Sequence, residues 1–431
     1  MLRTASVPFR EALRFWLKLG FISFGGPAGQ IAIMHRELVE QKKWVAEELF
    51  LRALNFCMML PGPEAQQLAI YIGWRLHGTV GGIVAGAFFV IPSVFVLLGL
   101  SWLAAAHAGV PAVAGLFYGI QPVVVAIVVE AVIRIGKRAL RHPALYLFAG
   151  GAFAALHFLS LPFPLIILAA AMGGLLLQRR WPQLFQSRES AAGQDDPESG
   201  IASPVAEYPP LRRIFKLFAI FFILWALPVG CIWLWRGGAD VLTREALFFT
   251  KAAFVTFGGA YAVLSYIADM AVNHYGWLDA RQMVLGLGLA ESTPGPLIMV
   301  TQYVGFLGAW QLPGGFNPVL YGTLGALITT YVTFLPCFFF IFAGSPYIEA
   351  LAGNRRIQAA LTSVTAAVVG VIMNLALFFG SRVIIKSDGY PDGFALAEAL
   401  LAFFLVWRYR LPIHIVVVAG GVIGMAWRLW F

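Results

Sequence analysis

From Val110 to Ile133 the chain runs 24 residues with Glu130 as its sole charge. About 20 mostly apolar residues are what a helix needs to cross the hydrocarbon core of a bilayer. Comparable runs recur, among them Pro162–Leu177. Neither run alternates apolar and polar residues, the mark of a membrane β-barrel. The 431 residues are 60% apolar and 12% charged, against about 45–50% and 25% in soluble domains. A chain this apolar neither stays disordered nor hides its side chains in a soluble globule. The expected class is an all-α polytopic membrane protein with the lipid bilayer as its partner.

Landmarks of the first part return at an offset of 233. Phe24-Gly25-Gly26 recurs as Phe257-Gly258-Gly259, Lys18 as Lys251, Trp44 as Trp277, and Pro61-Gly62-Pro63 as Pro294-Gly295-Pro296. Pro92 aligns with Pro336 at 244, which places an insertion around Gln311–Pro318. Such duplication is common in transporters. Between the copies, Gln178–Arg213 is polar, acidic and proline-rich, and reads as a linker. The expected division is a repeat over 1–178, a linker and connecting helix over 179–241, and a second repeat over 242–431. About 13 spans are expected, six per repeat, with 12–34, 46–75, 242–270 and 279–311 each a single pass, plus one linking helix near 214–236. That odd helix inverts the second repeat relative to the first.

The formal charge is +9. In a membrane protein this is chiefly topology signal, since Lys and Arg collect in cytoplasmic loops, and no nucleic acid is expected. Arg179, Arg180, Arg212 and Arg213 flank the linker, so the linker and the N-terminus are expected in the cytoplasm and the protein in the plasma (inner) membrane. Arg382 and Lys386 break the rule, and the 36–43 connector is ambiguous. Cys57, Cys231 and Cys337 form no CxxC pair, so neither a metal site nor a cofactor is expected. No Walker lysine motif, HExxH or GxSxG is present, which removes support for an ATP-driven pump or a common hydrolase.

The chemistry is expected at the duplicated breaks. Gly25, Gly26, Pro27 and Gly29 interrupt a helix in an apolar run, with Gly258 and Gly259 as the counterpart. Irregular backbone at membrane depth lines a cavity or is buried in protein. Pro61-Gly62-Pro63 and Pro294-Gly295-Pro296 end one half-helix and start another, with Pro63 and Pro296 suited to the first helical position. Free backbone N–H groups and the helix dipole there favour an anion. Nearby amides and hydroxyls, notably Gln30, Gln67, Thr293 and Gln302, could donate to an oxyanion. Lys18 and Lys251 each precede a Phe-Gly-Gly by six residues; they either neutralise a dianion or snorkel to the interface. Glu64 and Glu291 adjoin the two Pro-Gly-Pro breaks and are the candidate proton-coupling groups.

These motifs resemble the chromate ion transporter (CHR) family. The similarity rests on Lys18-Leu19-Gly20, SFGGPAGQIAIMH at 23–35, LPGPEAQQLAIYIGW at 60–74, the run from His77 to Pro92, TFGGAYAVL at 256–264 and STPGPL at 292–297. Two repeats in one chain fit the long-chain form. The resemblance implies gradient-driven efflux of chromate, with sulfate as a look-alike tetrahedral dianion. A sulfate or other oxyanion carrier, an importer, or a passive anion channel is the alternative. A homodimer is the expected assembly.

Overall fold

The computed structural model describes residues 7–181, 211–257, 259–348, 354–386 and 388–430. Most of the linker and Gly258 therefore lie outside the described residues. Sixteen α-helices make up the described fold. The first half contains α1 (Phe9–Ile22), α2 (Gly26–His35), α3 (Glu47–Cys57), α4 (Glu64–Ala106), α5 (Pro111–Ala139), α6 (Pro143–His157) and α7 (Phe163–Arg180). After the linker come α8 (Leu211–Arg236), α9 (Val241–Phe254), α10 (Ala260–Ala268), α11 (Ala280–Ser292), α12 (Val300–Gln311), α13 (Pro318–Gly344), α14 (Arg355–Val383), α15 (Gly393–Tyr409) and α16 (Ile413–Trp430). Two π-helical turns, Arg36–Gln41 and Asp269–His274, extend α2 and α10 and sit at the 233 offset from each other.

Among the described residues, seven helices are long and apolar enough to cross a membrane: α4, α5, α7, α8, α13, α14 and α16. The segments 12–34, 46–75, 242–270 and 279–311, expected as single passes, instead fold back on themselves. Helix α1 has 14 residues, about 21 Å at 1.5 Å per residue, too short for a core of about 30 Å. After Gly25 and Gly26, at φ 89° and 66°, α2 runs back alongside it. Lys42 Nζ then lies 3.2 Å from Glu11 Oε1, Lys18 Nζ lies 2.9 Å from Glu37 Oε1, and Trp44 packs edge-on against Phe15. Helix α3 and the first part of α4 form a second hairpin. It brings His77 back to the Val7 carbonyl, at 2.8 Å, and to the Phe9 ring.

The chain leaves that end of the molecule at His77-Gly78, where α4 has non-helical dihedrals. The remainder of α4 runs to the opposite end. There the second half inserts two hairpins of its own. In α9–α10, Trp277 stacks on Phe249. In α11–α12, Gln311 Nε2 reaches Gln282 Oε1 at 3.2 Å. The other contacts of this end agree with that course, including Tyr118 Oη to Asp392 Oδ2 at 2.8 Å and Arg281 Nε to the Arg382 carbonyl at 3.3 Å.

Glycine permits the close helix approaches that hold the remaining helices together. Gly119 of α5 faces Gly420 and Gly424 of α16, and Gly370 of α14 faces the backbone of α6 at Ala149 and Phe153. Small residues at such crossings are the membrane substitute for a hydrophobic driving force. Helix α8, the connecting helix expected near 214–236, packs mainly on α13, and most of its surface is exposed.

Candidate functional site

The four hairpins meet tip to tip. At the end of α1, Ser23 Oγ donates to the Leu19 carbonyl at 2.6 Å, and the chain then turns through Gly25. At the end of α9, Thr256 Oγ1 donates to the Ala252 carbonyl, also at 2.6 Å, before the turn through Gly259. These hydroxyls fill the carbonyl sites freed as each helix ends. Gly62 and Gly295 sit at φ 119° and 109° in the tips of the other two hairpins. The Gly62 N–H donates to the Thr256 carbonyl at 2.9 Å, and the Gly295 N–H donates to the Ser23 carbonyl at 2.8 Å. The two bonds exchange under the 233 offset, so each half supplies one donor and one acceptor to the other.

The crossing helices close around this point. A Cβ on Gly62 would stand 2.9 Å from Cys337 Sγ on α13 and 2.9 Å from Gln67 Nε2. A Cβ on Gly295 would overlap Ser93 on α4, whose hydroxyl donates to the Pro294 carbonyl. Ser93 and Cys337 follow Pro92 and Pro336 directly, which carries the duplication into the helices behind the tips. All four glycine and proline tips are therefore positioned by residues of both halves.

The sequence-chosen amides are here, and wholly buried. Gln30 Nε2 donates to the Gly295 carbonyl at 2.5 Å and to the Ser23 carbonyl at 3.2 Å. Gln67 Nε2 donates to the Pro61 carbonyl at 2.7 Å. Gln302 is held from both ends, by the Val94 carbonyl at 2.8 Å and by Thr330 Oγ1 at 3.1 Å. The Oε1 atoms of Gln30, Gln66 and Gln67 have no donor among the described residues. Thr293 is buried and donates to the Ala290 carbonyl at 3.1 Å.

Several expectations change. Pro63 and Pro296 occupy the extended residue before the helix rather than its first position, and helical structure begins at Glu64 and Leu297. The Gly62 and Gly295 N–H groups, expected to be free for an anion, are engaged by Thr256 and Ser23. Donors remain one turn on. No described side chain caps α2 or α4, so their first-turn amides, which have no intrahelical acceptor, have no capping one either. Pro27 lies in that first turn of α2.

The lysines are not at the tips. Lys18 is more than half exposed and paired with Glu37, and Lys251 is exposed on α9, where Met270 stands at the position matching Glu37. Neither is placed to neutralise a dianion in this arrangement.

Of the two carboxylates, Glu64 opens α4, partly buried at the positive end of that helix dipole. Glu291 is buried and accepts a short hydrogen bond from Tyr261. Arg134, bound to Glu130 at 3.0 Å, lies within electrostatic reach of both Glu291 and Tyr261. Tyr261 was not among the sequence candidates. Its one signal is a phenol immediately after Gly259-Ala260, at the start of a half-helix.

The family model for "Chromate transporter" matches residues 10–175 and again 244–425. The chain belongs to the chromate transporter family. Its similarity to curated members runs almost end to end. A chromate transport protein of Pseudomonas aeruginosa is 30% identical over 417 residues, covering 95% of this chain and 90% of that protein. One from Cupriavidus metallidurans is 27% identical, covering 96% and 92%. A probable chromate transport protein of Synechococcus elongatus is 26% identical, covering 96% and 95%. No solved structure matches the chain. The family is one of transporters, not enzymes, and its two matched segments each contain both hairpins of one half.

Proposed function

We propose that this protein is a secondary active transporter that exports chromate from the cytoplasm and so confers chromate resistance. The observation that carries the reading is the reciprocal contact of Gly62 with Thr256 and Gly295 with Ser23. Two hairpins from each end of the molecule meet there through a few backbone hydrogen bonds, each worth about 0.5–1.5 kcal/mol net. Such a junction can part on either side in turn, which alternating access requires. The first-turn amides of α2 and α4 then bind the tetrahedral oxyanion, and the side-chain donors of Gln30, Gln67, Thr293 and Gln302, spent on carbonyls in this arrangement, turn to it only when the tips part. Glu64 and Glu291 are the coupling candidates.

The same reading makes the halves inverted repeats over 1–178 and 242–431, joined by the linker and α8. Orientation follows from charge. The end that receives Lys42, Arg75, Arg138, Arg179, Arg355 and Arg408 is the cytoplasmic one, with the N-terminus and linker. On this reading the hairpin fold-back returns the 36–43 connector to the cytoplasmic end. Arg382 and Lys386 stay on the far side.

Chromate flux into proteoliposomes, with and without an imposed pH gradient and potential, tests the reading. Gradient-dependent accumulation, competed by sulfate, supports it. Flux linear in voltage and indifferent to the pH gradient supports the anion channel instead.

A further inference from the structure

Glu245 lies on α9, one turn inside the far end of the molecule, and is 0% exposed. Neither carboxylate oxygen has a hydrogen-bond partner among the described residues. A Cβ on Gly308 of α12 would stand 2.5 Å from Oε1, and one on Gly325 of α13 would stand 2.9 Å from Oε2. Trp277 closes over Gly308 as well. The two glycines form a cradle that only a glycine-sized wall permits.

Among the described residues, the charged and titratable neighbours offer Glu245 no counter-ion. On its own helix boundary stands Asp240, another acid. Arg236 of α8 is taken by Asp240, at 3.1 Å, and by Tyr321 of α13, at 2.8 Å. Tyr321 in turn donates to Asp240 Oδ1 at 2.6 Å. Of the other titratable groups on α13, Tyr331 donates to the Leu224 carbonyl, and Cys337 is at the tips. Helix α12 carries no charged residue, and its Tyr303 packs against Gly286. An ionised carboxylate with no donor in such a place is strongly disfavoured. In the first half the matching residue is Ala12, also buried, so the fold itself does not require an acid there.

We propose that Glu245 is a proton-binding site present in the second half alone, protonated in this arrangement and ionised when the α9–α10 hairpin shifts away from α12 and α13. The proton would exchange with the far side of the membrane, past Asp240 and Tyr321. That Glu245 binds a proton is independent of what is transported; its part in coupling rests on the reading of proton-driven export.

Infrared difference spectra of the full chain in liposomes, between acid and alkaline buffer, test it with wild type and Glu245→Gln. The expected result is a protonated-carboxyl band in wild type that is lost reversibly at alkaline pH and is absent from the variant. Glu245→Ala, copying Ala12, is the second variant should the amide fail to fold. Identical difference spectra in wild type and variant would overturn the assignment. So would loss of the band on adding sodium at fixed pH, which would make this a metal-cation site. In flux assays, Glu245→Gln is expected to move chromate down its own gradient while losing at least tenfold of the pH-gradient response. An undiminished response would overturn the coupling role. Absence of wild-type chromate flux would instead refute the export reading and leave the infrared result standing.

Discussion

Gly62→Ala probes the junction with a single methyl group. Gly62 sits at φ 119°, where an L side chain costs about 1–3 kcal/mol. The new Cβ would also meet Cys337 Sγ and Gln67 Nε2, each at 2.9 Å. Relieving that overlap in a packed core costs about 1–3 kcal/mol more. The junction should therefore lose about 2–6 kcal/mol, a shift of about thirtyfold or more in the equilibrium that keeps the tips together. Gly26→Ala is the matched control. It has a positive φ of 66° but nothing within 4 Å of the added carbon, so only the backbone term applies. The assay is initial-rate chromate flux in proteoliposomes, paired with the thermal midpoint of the purified protein. Gly62→Ala should lose most flux and Gly26→Ala much less. Cys337→Ala should restore part of the loss in a double mutant, because it removes the sulfur that the methyl group meets. Wild-type flux and stability in Gly62→Ala, or equal loss in Gly26→Ala, would refute the reasoning.

Gln30→Leu strips the donor from the Gly295 and Ser23 carbonyls and should cost about 1–3 kcal/mol, read as a lowered thermal midpoint and at least tenfold lower flux. Tyr261→Phe removes the donor from buried Glu291 at a cost in the same range, so both stability and flux should fall, whereas the conservative change at exposed Tyr146 should alter neither. Lys18→Gln leaves the buried Glu37 carboxylate without its partner, a loss that lowers the thermal midpoint, but flux of the folded protein should stay within about twofold of wild type if Lys18 is no substrate ligand. In flux, Lys251→Gln should behave alike, and a large loss in either would return the lysines to the site.

The breaks were legible because glycine and proline in an apolar run have few structural uses, and because the same residues return at a constant offset. The fold-back was not. An apolar window cannot tell a broken pass from a hairpin, since both bury the same side chains. The clues were electrostatic: Glu11 with Lys42, and Lys18 with Glu37, are paired only if α1 and α2 lie antiparallel with their outer ends together. Gln30 lies at the tips, beside the break that marks it in the sequence, but its use as a clasp between carbonyls depends on Gly295, 265 residues away. Glu245 carries no sequence signal of its own: it adjoins Arg244 in the chain, but Arg244 is exposed and Glu245 buried.

The most direct test of the hairpin account is the sidedness of two equivalent positions, Gln41 and His274, both exposed. Single cysteines there, in a Cys231→Ser background, can be labelled with a membrane-impermeant thiol reagent, with Arg179→Cys as the reference for the linker face. The account predicts that Gln41→Cys labels from the same face as Arg179→Cys, and His274→Cys from the other. Labelling of Gln41→Cys from the face opposite Arg179→Cys would mean that residues 12–34 cross the membrane, and would contradict it.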